Sequence, residues 1–390
     1  MTSRAAAIAG LGITDVGRVY GCTSAQFAAE AVRLAAADAG LALHDIDGLL
    51  LSSGLGDDVK LELQRDLGLR DLSLLSEMQG FGSTAGAMVA FASMAVESGM
   101  AEVVACVHAD APLVQDLSAS DAYGNAAHTC KGWRGLLAAG GVVGANHMYA
   151  MAARRHMMRY GTTNDQLGAI AMAQRDWAAL NPRAQFREPI SLDDYRASRW
   201  IAEPFRLLDC CVVSNGGIAV IVTSAERARE LRQPPVQVLG WAQAHPGRYL
   251  LRNEDLGLRT GAAQSGPAAL RMAGVTLDDV DVLELYDCYT FTVLLTLEDY
   301  GFCEKGEGGP LVESGVLGPG GKLKVNTGGG QLSSYYLWGM TPLSEAVIQA
   351  RGQAGERQAE DHDVVLVSGN GGVFDHHATL VLGSDSVERS

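Results

Sequence analysis

Residues 37–52, ADAGLALHDIDGLLLS, return as residues 271–286, RMAGVTLDDVDVLELY, at an offset of 234. Ala39/Ala273, Gly40/Gly274, Leu43/Leu277, Asp45/Asp279, Asp47/Asp281, Leu49/Leu283 and Leu51/Leu285 are identical in order. Each copy reads as a helix end closed by a glycine, an Asp-containing connection and an apolar strand. Upstream, AAAIAGLG matches PVQVLGWA in character; downstream, AEVVACVHA and DVVLVSGNG both read as apolar strands after a helix. Each half therefore reads strand, helix, strand, helix, strand. Helices alternating with apolar strands specify an α/β fold with buried sheets, here a duplicated one. The 390 residues are enough for two sizeable cores. The expected division is 1–230 and 231–390.

Between the first half's strand near Val103–Val107 and CCVVSNGGIAVIVTS lies a stretch of different character, an expected insertion over about 112–205. It contains MYAMAARRHMMRYGTTNDQLGAIAMAQRDWAALNP, a helix pair in which Thr162 or Thr163 is the N-cap. Ser191 and Asp194 form a capping pair further on. An insertion this long over a sheet is expected to act as a functional lid.

Composition removes several function classes. A formal net charge of −15 speaks against nucleic acid as a partner, because phosphate binding needs basic surface. No apolar run approaches the ~18 residues of a membrane span. The N-terminus MTSRAAAIAGLGITD reads as a first strand rather than a signal peptide. The seven cysteines (22, 106, 130, 210, 211, 288 and 303) lack CxxC spacing. Neither a disulfide framework nor a zinc site is expected, and a reducing cytoplasm is the simplest location.

The segment NTGGGQLSSYYLWGMTPLSEAVIQARGQ, residues 326–353, joins a glycine run to two tyrosines and then a helical pattern. Glycines let a backbone approach a ligand closely. Tyrosines at the mouth of such a loop ask for a chemical role.

Five stretches in order resemble the thiolase superfamily, specifically its sterol-carrier-protein thiolase branch. FGSTAGAMVAFASMAVESG resembles the nucleophile-bearing helix, and LLDCCVVSNGGIAVIV resembles the end of the loop domain. LELYDCYTFT resembles the His-Asp-Cys-Phe motif, and NTGGGQLSSYYLWGMTPL the Gly-Gly…Gly-His-Pro motif. SGNGGVFDHHATLVLG resembles the C-terminal glycine loop. The implied fold is thiolase-like: two duplicated βαβαβ halves in α/β/α/β/α layers with an inserted loop domain.

The catalytic positions depart from that pattern. Where thiolases carry the nucleophilic cysteine this chain has Gln79, and an amide cannot carry an acyl group. The glycine loop brings no thiol. Tyr286 and Tyr336 replace the two motif histidines. This combination resembles the superfamily's steroid side-chain-cleaving aldolases. The resemblance implies a retro-aldolase that splits a β-hydroxyacyl-CoA side chain from a steroid ring, with Tyr286 and Tyr336 sharing enolate stabilisation and proton transfer. Which tyrosine does which stays open.

Gln79, Gly329, Gly330 and Gly371 are expected to line the substrate site. No cofactor beyond the substrate's own CoA is expected, nor is a metal. The resemblance further implies a homodimer and a small OB-fold, zinc-ribbon partner of the type associated with acyl-CoA enzymes. Tyr335 and Tyr289 are expected to pack, and Cys288 to be a scaffold residue. His108 is a weaker candidate at a strand's C-terminal end. Asp375, His376 and His377 are expected to be structural, since spacing supplies no further zinc ligands. Two other readings stand beside the aldolase: a homologue that binds lipid or acyl-CoA without turnover, and an acyltransferase using an unrecognised thiol.

Overall fold

The computed structural model describes residues 5–56, 58–119, 132–247 and 255–387; Cys130 and part of the expected insertion lie outside these. The first half comprises β1 (Ala6–Ile13), α1 (Ser24–Ala39), β2 (Gly48–Ser53), β3 (Leu74–Glu77), α2 (Thr84–Glu97) and β4 (Val103–Asp110). The inserted helices α3 (Ala145–Tyr160) and α4 (Asn164–Ala179) follow, and β5 (Gly216–Ser224) completes the half. The second half comprises β6 (Val236–Ala244), α5 (Ala262–Ala273), β7 (Val282–Glu284), α6 (Thr290–Tyr300), β8 (Lys324–Val325), α7 (Met340–Ala350), β9 (Val364–Gly371) and β10 (His376–Gly383).

The strands lie in the order β8-β7-β9-β10-β6-β1-β5-β4-β2-β3. Each half contributes the same arrangement, so β1 to β5 correspond one by one to β6 to β10. β2, β3 and β4 are parallel, and β5 runs antiparallel to both its neighbours. The second half copies this with β7, β8, β9 and β10. The halves meet where Ala7 pairs with Gln237 and Ile8 with Val236, which makes one ten-stranded sheet.

Helix α1 covers the outer face of the first half and α5 that of the second. Helices α2 and α7 lie between the halves, each touching strands of both. Met88, Val89 and Ala92 of α2 share a core with Leu343, Ala346 and Val347 of α7, and with Val220, Val238, Val365 and Leu380 of the strands. This is the expected α/β/α/β/α layering. It explains why β4 is buried along its whole length and apolar from Val103 to Val107: both faces are covered. The duplication extends to packing. Gly10 lets the Ala35–Ala39 face of α1 sit directly on β1, as Gly240 does for the Ala269–Ala273 face of α5; a Cβ at either would overlap helix backbone.

Gly40 and Gly274 end α1 and α5 in the left-handed conformation, with φ of 79° and 73°. The N-cap of α4 is Thr163, in a capping box with Gln166. The Thr162 hydroxyl instead meets His156 Nδ1 at 2.9 Å. His156 Nε2 lies 3.1 Å from Glu298 of α6, which fastens the insertion to the second half through a buried contact. Ser191 and Asp194 cap each other as their spacing predicts.

Candidate active site

The carboxyl ends of the parallel strands converge at the start of α2, where open α/β sheets place their ligand sites. Gly80–Ser83 is the meeting point. A Cβ on Gly82 would overlap the Tyr286 ring and the Asn370 carbonyl, one on Gly371 the Gly80 carbonyl, and one on Gly339 the Gly82 carbonyl. Loops 79–83, 286–289, 326–339 and 370–375 thus touch through backbone. Seven non-glycine residues among those described have positive φ, and five lie on these loops: Phe81, Asn326, Trp338, Val373 and Phe374. A β-branched valine at φ 58° is costly in isolation. Backbone strain of this kind concentrates at functional sites.

Within this junction the Tyr286 and Tyr336 hydroxyls are 3.0 Å apart, with ring centroids at 6.4 Å in an edge-to-face arrangement. Tyr286 is buried and Tyr336 half-buried, so the pair bridges the interior and an accessible side. The Tyr336 backbone N–H donates to Ser214 Oγ at 2.9 Å. Gln185 and Phe186 donate backbone N–H groups to Ser334 and Ser333. Arg175 Nε donates to Ser333 Oγ at 3.0 Å, and Asn181 Nδ2 to the Gly328 carbonyl at 2.8 Å. Residues 175–186 of the insertion therefore form a fixed support beneath the tyrosine loop; the lid reading does not describe this part.

Gln79 is exposed, five residues before α2 begins, and its Oε1 accepts the Phe81 N–H at 3.0 Å. A 3₁₀ turn at Phe81–Ser83 separates it from the helix. Gly329 faces Ala178 of α4, Gly330 faces the Asp287 carboxylate and Gly371 faces Gly80. Each glycine's Cβ direction is filled by the protein itself. Their absent side chains accommodate loop-to-loop contact, not an open wall. Tyr335 points into the core between the halves, its hydroxyl 3.1 Å from Ser344 Oγ, and burial pushes it up to about 12. Tyr289 stacks on Phe205 and donates to Asn146.

His108 is buried, with Nδ1 3.1 Å from the Ser52 carbonyl and its ring stacked on Trp338 at 4.9 Å. Burial lowers it to about 4, so the imidazole is neutral. His377 belongs to a core network with Tyr300 and Ser368, and burial brings it down to about 3. His376 meets His245 at 3.0 Å. Among the described residues no group of three or more His, Cys, Asp or Glu is placed to hold a metal ion. No described helix is long and apolar enough to cross a membrane.

Tyr149 of α3 is a site residue that spacing did not disclose. It accepts from Asn370 Nδ2 at 3.0 Å and lies against Tyr289 and Phe374. Burial, then Cys288 and Tyr286 beside it, raises its hydroxyl well above the ordinary tyrosine value, so it stays protonated. Cys288 is buried in the same cluster, and burial pushes its thiol up to about 12. The six described cysteines are free. A thiol so far from its thiolate is a poor nucleophile. Cys288→Ala should keep most turnover in a folded protein; loss of activity with an intact circular dichroism spectrum would restore a catalytic thiol.

A duplicated sheet enclosing two helices, with a phenol pair and a buried, protonated Cys288 at its centre, defines a thiolase-fold architecture. Residues 242–384 match the thiolase C-terminal domain-like family model. The chain is 36% identical over 389 residues to a steroid side-chain-cleaving aldolase of Thermomonospora curvata, covering 98% of both chains. It is also 36% identical to the 17-hydroxy-3-oxo-4-pregnene-20-carboxyl-CoA lyase of Mycobacterium tuberculosis, over 95% of this chain and 98% of that one. The solved Ltp2-ChsH2(DUF35) aldolase superposes with a TM-score of 0.88 at 37% identity, covering 99% of both chains. The chain belongs to the steroid side-chain-cleaving aldolases of the thiolase superfamily. It is a carbon–carbon lyase.

Proposed function

We propose that the chain cleaves the bond between a steroid ring carbon bearing a hydroxyl and the α-carbon of a CoA thioester side chain, releasing a ketosteroid and a shortened acyl-CoA. The observation that carries this reading is the 3.0 Å contact between the Tyr286 and Tyr336 hydroxyls. Retro-aldol cleavage removes a proton from the β-hydroxyl, and the electron pair of the breaking Cα–Cβ bond forms the thioester enolate. Protonation of that enolate at Cα completes the reaction, so one proton leaves the substrate and one returns. Two hydrogen-bonded phenols suit this balance: one takes the hydroxyl proton while its neighbour donates to the developing oxyanion or to Cα. No step requires a covalent bond to the enzyme, in keeping with glutamine at residue 79.

The exposed Gln79 amide stands at the edge of the site, where the acyl chain would pass. Gly329, Gly330 and Gly371 act through the loops they allow to meet. The reading uses no cofactor other than substrate CoA. The family names support a steroid CoA ester as substrate, and the Ltp2-ChsH2(DUF35) structure supports a small partner protein. A homodimer completes the proposal. Light scattering at micromolar concentration should give twice the 41.0 kDa chain mass; a monomer would remove the dimer.

Incubation with a 17-hydroxy steroid acyl-CoA, with and without such a partner, should release ketone and acyl-CoA in equal amounts. Binding without product would leave an inert acyl-CoA binder, and an acyl-enzyme seen by mass spectrometry would indicate acyltransfer.

A further inference from the structure

The two phenols belong to segments 50 residues apart, and their contact requires something to hold those segments together. Asp287 follows Tyr286 directly and is buried. Its Oδ1 accepts the Gln331 N–H at 2.8 Å, and its Oδ2 accepts the Gln331 and Leu332 N–H groups at 2.9 and 3.2 Å. Residues 330–334 form a single π-helical turn, after which Tyr335 and Tyr336 emerge. The first N–H groups of any helical turn lack partners within it. π turns are rare and are frequent at functional sites. A carboxylate attached to one tyrosine's segment thus closes the turn that delivers the other.

Gly330 fits the same arrangement. Its φ is +58°, and a Cβ there would overlap Asp287 Oδ2. A second tie runs parallel: Asn326 Oδ1, on a residue with φ 53°, accepts the Leu285 N–H at 2.6 Å. The two ties flank Tyr286, one at Leu285 and one at Asp287, and both run to the loop before Tyr336. Asp287 offers its oxygens to backbone and not to the accessible side of the tyrosines.

We propose that Asp287 is a positioning residue for the aldol cleavage: by closing the 330–334 turn it sets the separation of the Tyr286 and Tyr336 hydroxyls. The inference rests on the tyrosine-pair reading and goes beyond it. Asp287→Asn keeps the shape but turns a donor amide towards backbone donors. Misplacing a catalytic group by about 1 Å costs up to ~10²-fold. Asp287→Asn should therefore lower kcat by at least ~10-fold and leave KM within ~3-fold, since substrate contacts elsewhere persist.

Gly330→Ala leaves the carboxylate in place and should give the same split by an independent route, which also serves where Asp287→Asn fails to fold. The decisive comparison places Asp287→Asn in a Tyr336→Phe background, assayed on protein folded by circular dichroism. There it should cost nothing further in kcat, because the hydroxyl it positions is already gone. Full activity in Asp287→Asn beside a dead Tyr336→Phe overturns this inference alone. An equal loss in both backgrounds also overturns it, by assigning Asp287 an action independent of the pair. Wild-type turnover in Tyr336→Phe itself overturns the tyrosine reading, and this inference with it.

Discussion

Tyr336→Phe and Tyr286→Phe should each lower kcat by at least ~10²-fold while substrate affinity changes far less. Each change deletes one hydroxyl and keeps the ring, so the edge-to-face packing of the pair and its contact with Gly82 survive. The lost interaction is one that strengthens as charge develops, which places the cost in the transition state and spares the ground state. If the phenols pass one proton between them, the double variant should be little worse than the poorer single one, because each single change already breaks the relay. Additive losses would instead assign two separate jobs, one at the hydroxyl and one at the enolate.

Tyr335→Phe is the internal comparison. Its hydroxyl turns away from the site to Ser344, so it should cost stability at the level of one buried hydrogen bond, about 1 kcal/mol, and little rate. Near-wild-type turnover at both 286 and 336 would overturn the phenol assignment and place the base elsewhere in the site. Steady-state kinetics on a 17-hydroxy steroid acyl-CoA separates these outcomes.

The parts of this protein readable in its sequence are those encoded locally. Gly40 and Gly274 announce two helix ends because only a residue without Cβ takes φ near 75° cheaply, and the Asp-to-strand connection after each repeats the message. Ser191 is legible because a cap is settled within three residues, while the sequence leaves Thr162 and Thr163 as alternatives that the structure decides for Thr163. Tyr286 and Tyr336 are marked by family resemblance, and no periodicity shows that their hydroxyls touch. The glycine run misled in an instructive way. It signals close approach, but the approaching group at Gly330 is the Asp287 carboxylate and at Gly329 is Ala178 of α4. Sequence tells that space is needed, not who fills it. Tyr149 meets Asn370 across 221 residues, and a lone tyrosine on a helix carries no mark of such a partner. Gln79 takes the position of the family's nucleophile, but no local pattern shows that the 3₁₀ turn at Phe81–Ser83 separates it from α2 and leaves it exposed.

Beneath the tyrosine loops lies the second large expected effect. Arg357 forms a two-pronged ion pair with Glu345 of α7, at 2.8 and 3.1 Å, and both side chains are almost wholly buried. Thr327 Oγ1 lies between Glu345 Oε1 at 3.1 Å and Glu284 Oε1 at 2.8 Å. Burial, with Glu345 next to it, raises Glu284 well above the carboxylate range. Glu284 ends β7 two residues before Tyr286, and Thr327 opens the loop that carries Tyr336. The cluster also edges a small cavity at the base of that loop, lined by Asp287, Asn326 and Tyr335 among others. Arg357→Leu leaves Glu345 either as an unpaired buried charge or forced to take up a proton, a loss of about 3–5 kcal/mol. Denaturant unfolding should show this loss, and turnover should fall through looser tyrosine placement before the fold is lost. Arg357→Leu with Glu345→Leu removes both charges and should recover much of the stability, because an apolar pair of similar volume avoids the desolvation that the ion pair must offset. A double variant as unstable as the sum of the two single ones would mean that the pair is not coupled, and that the tyrosine loops are held from the Asp287 side alone.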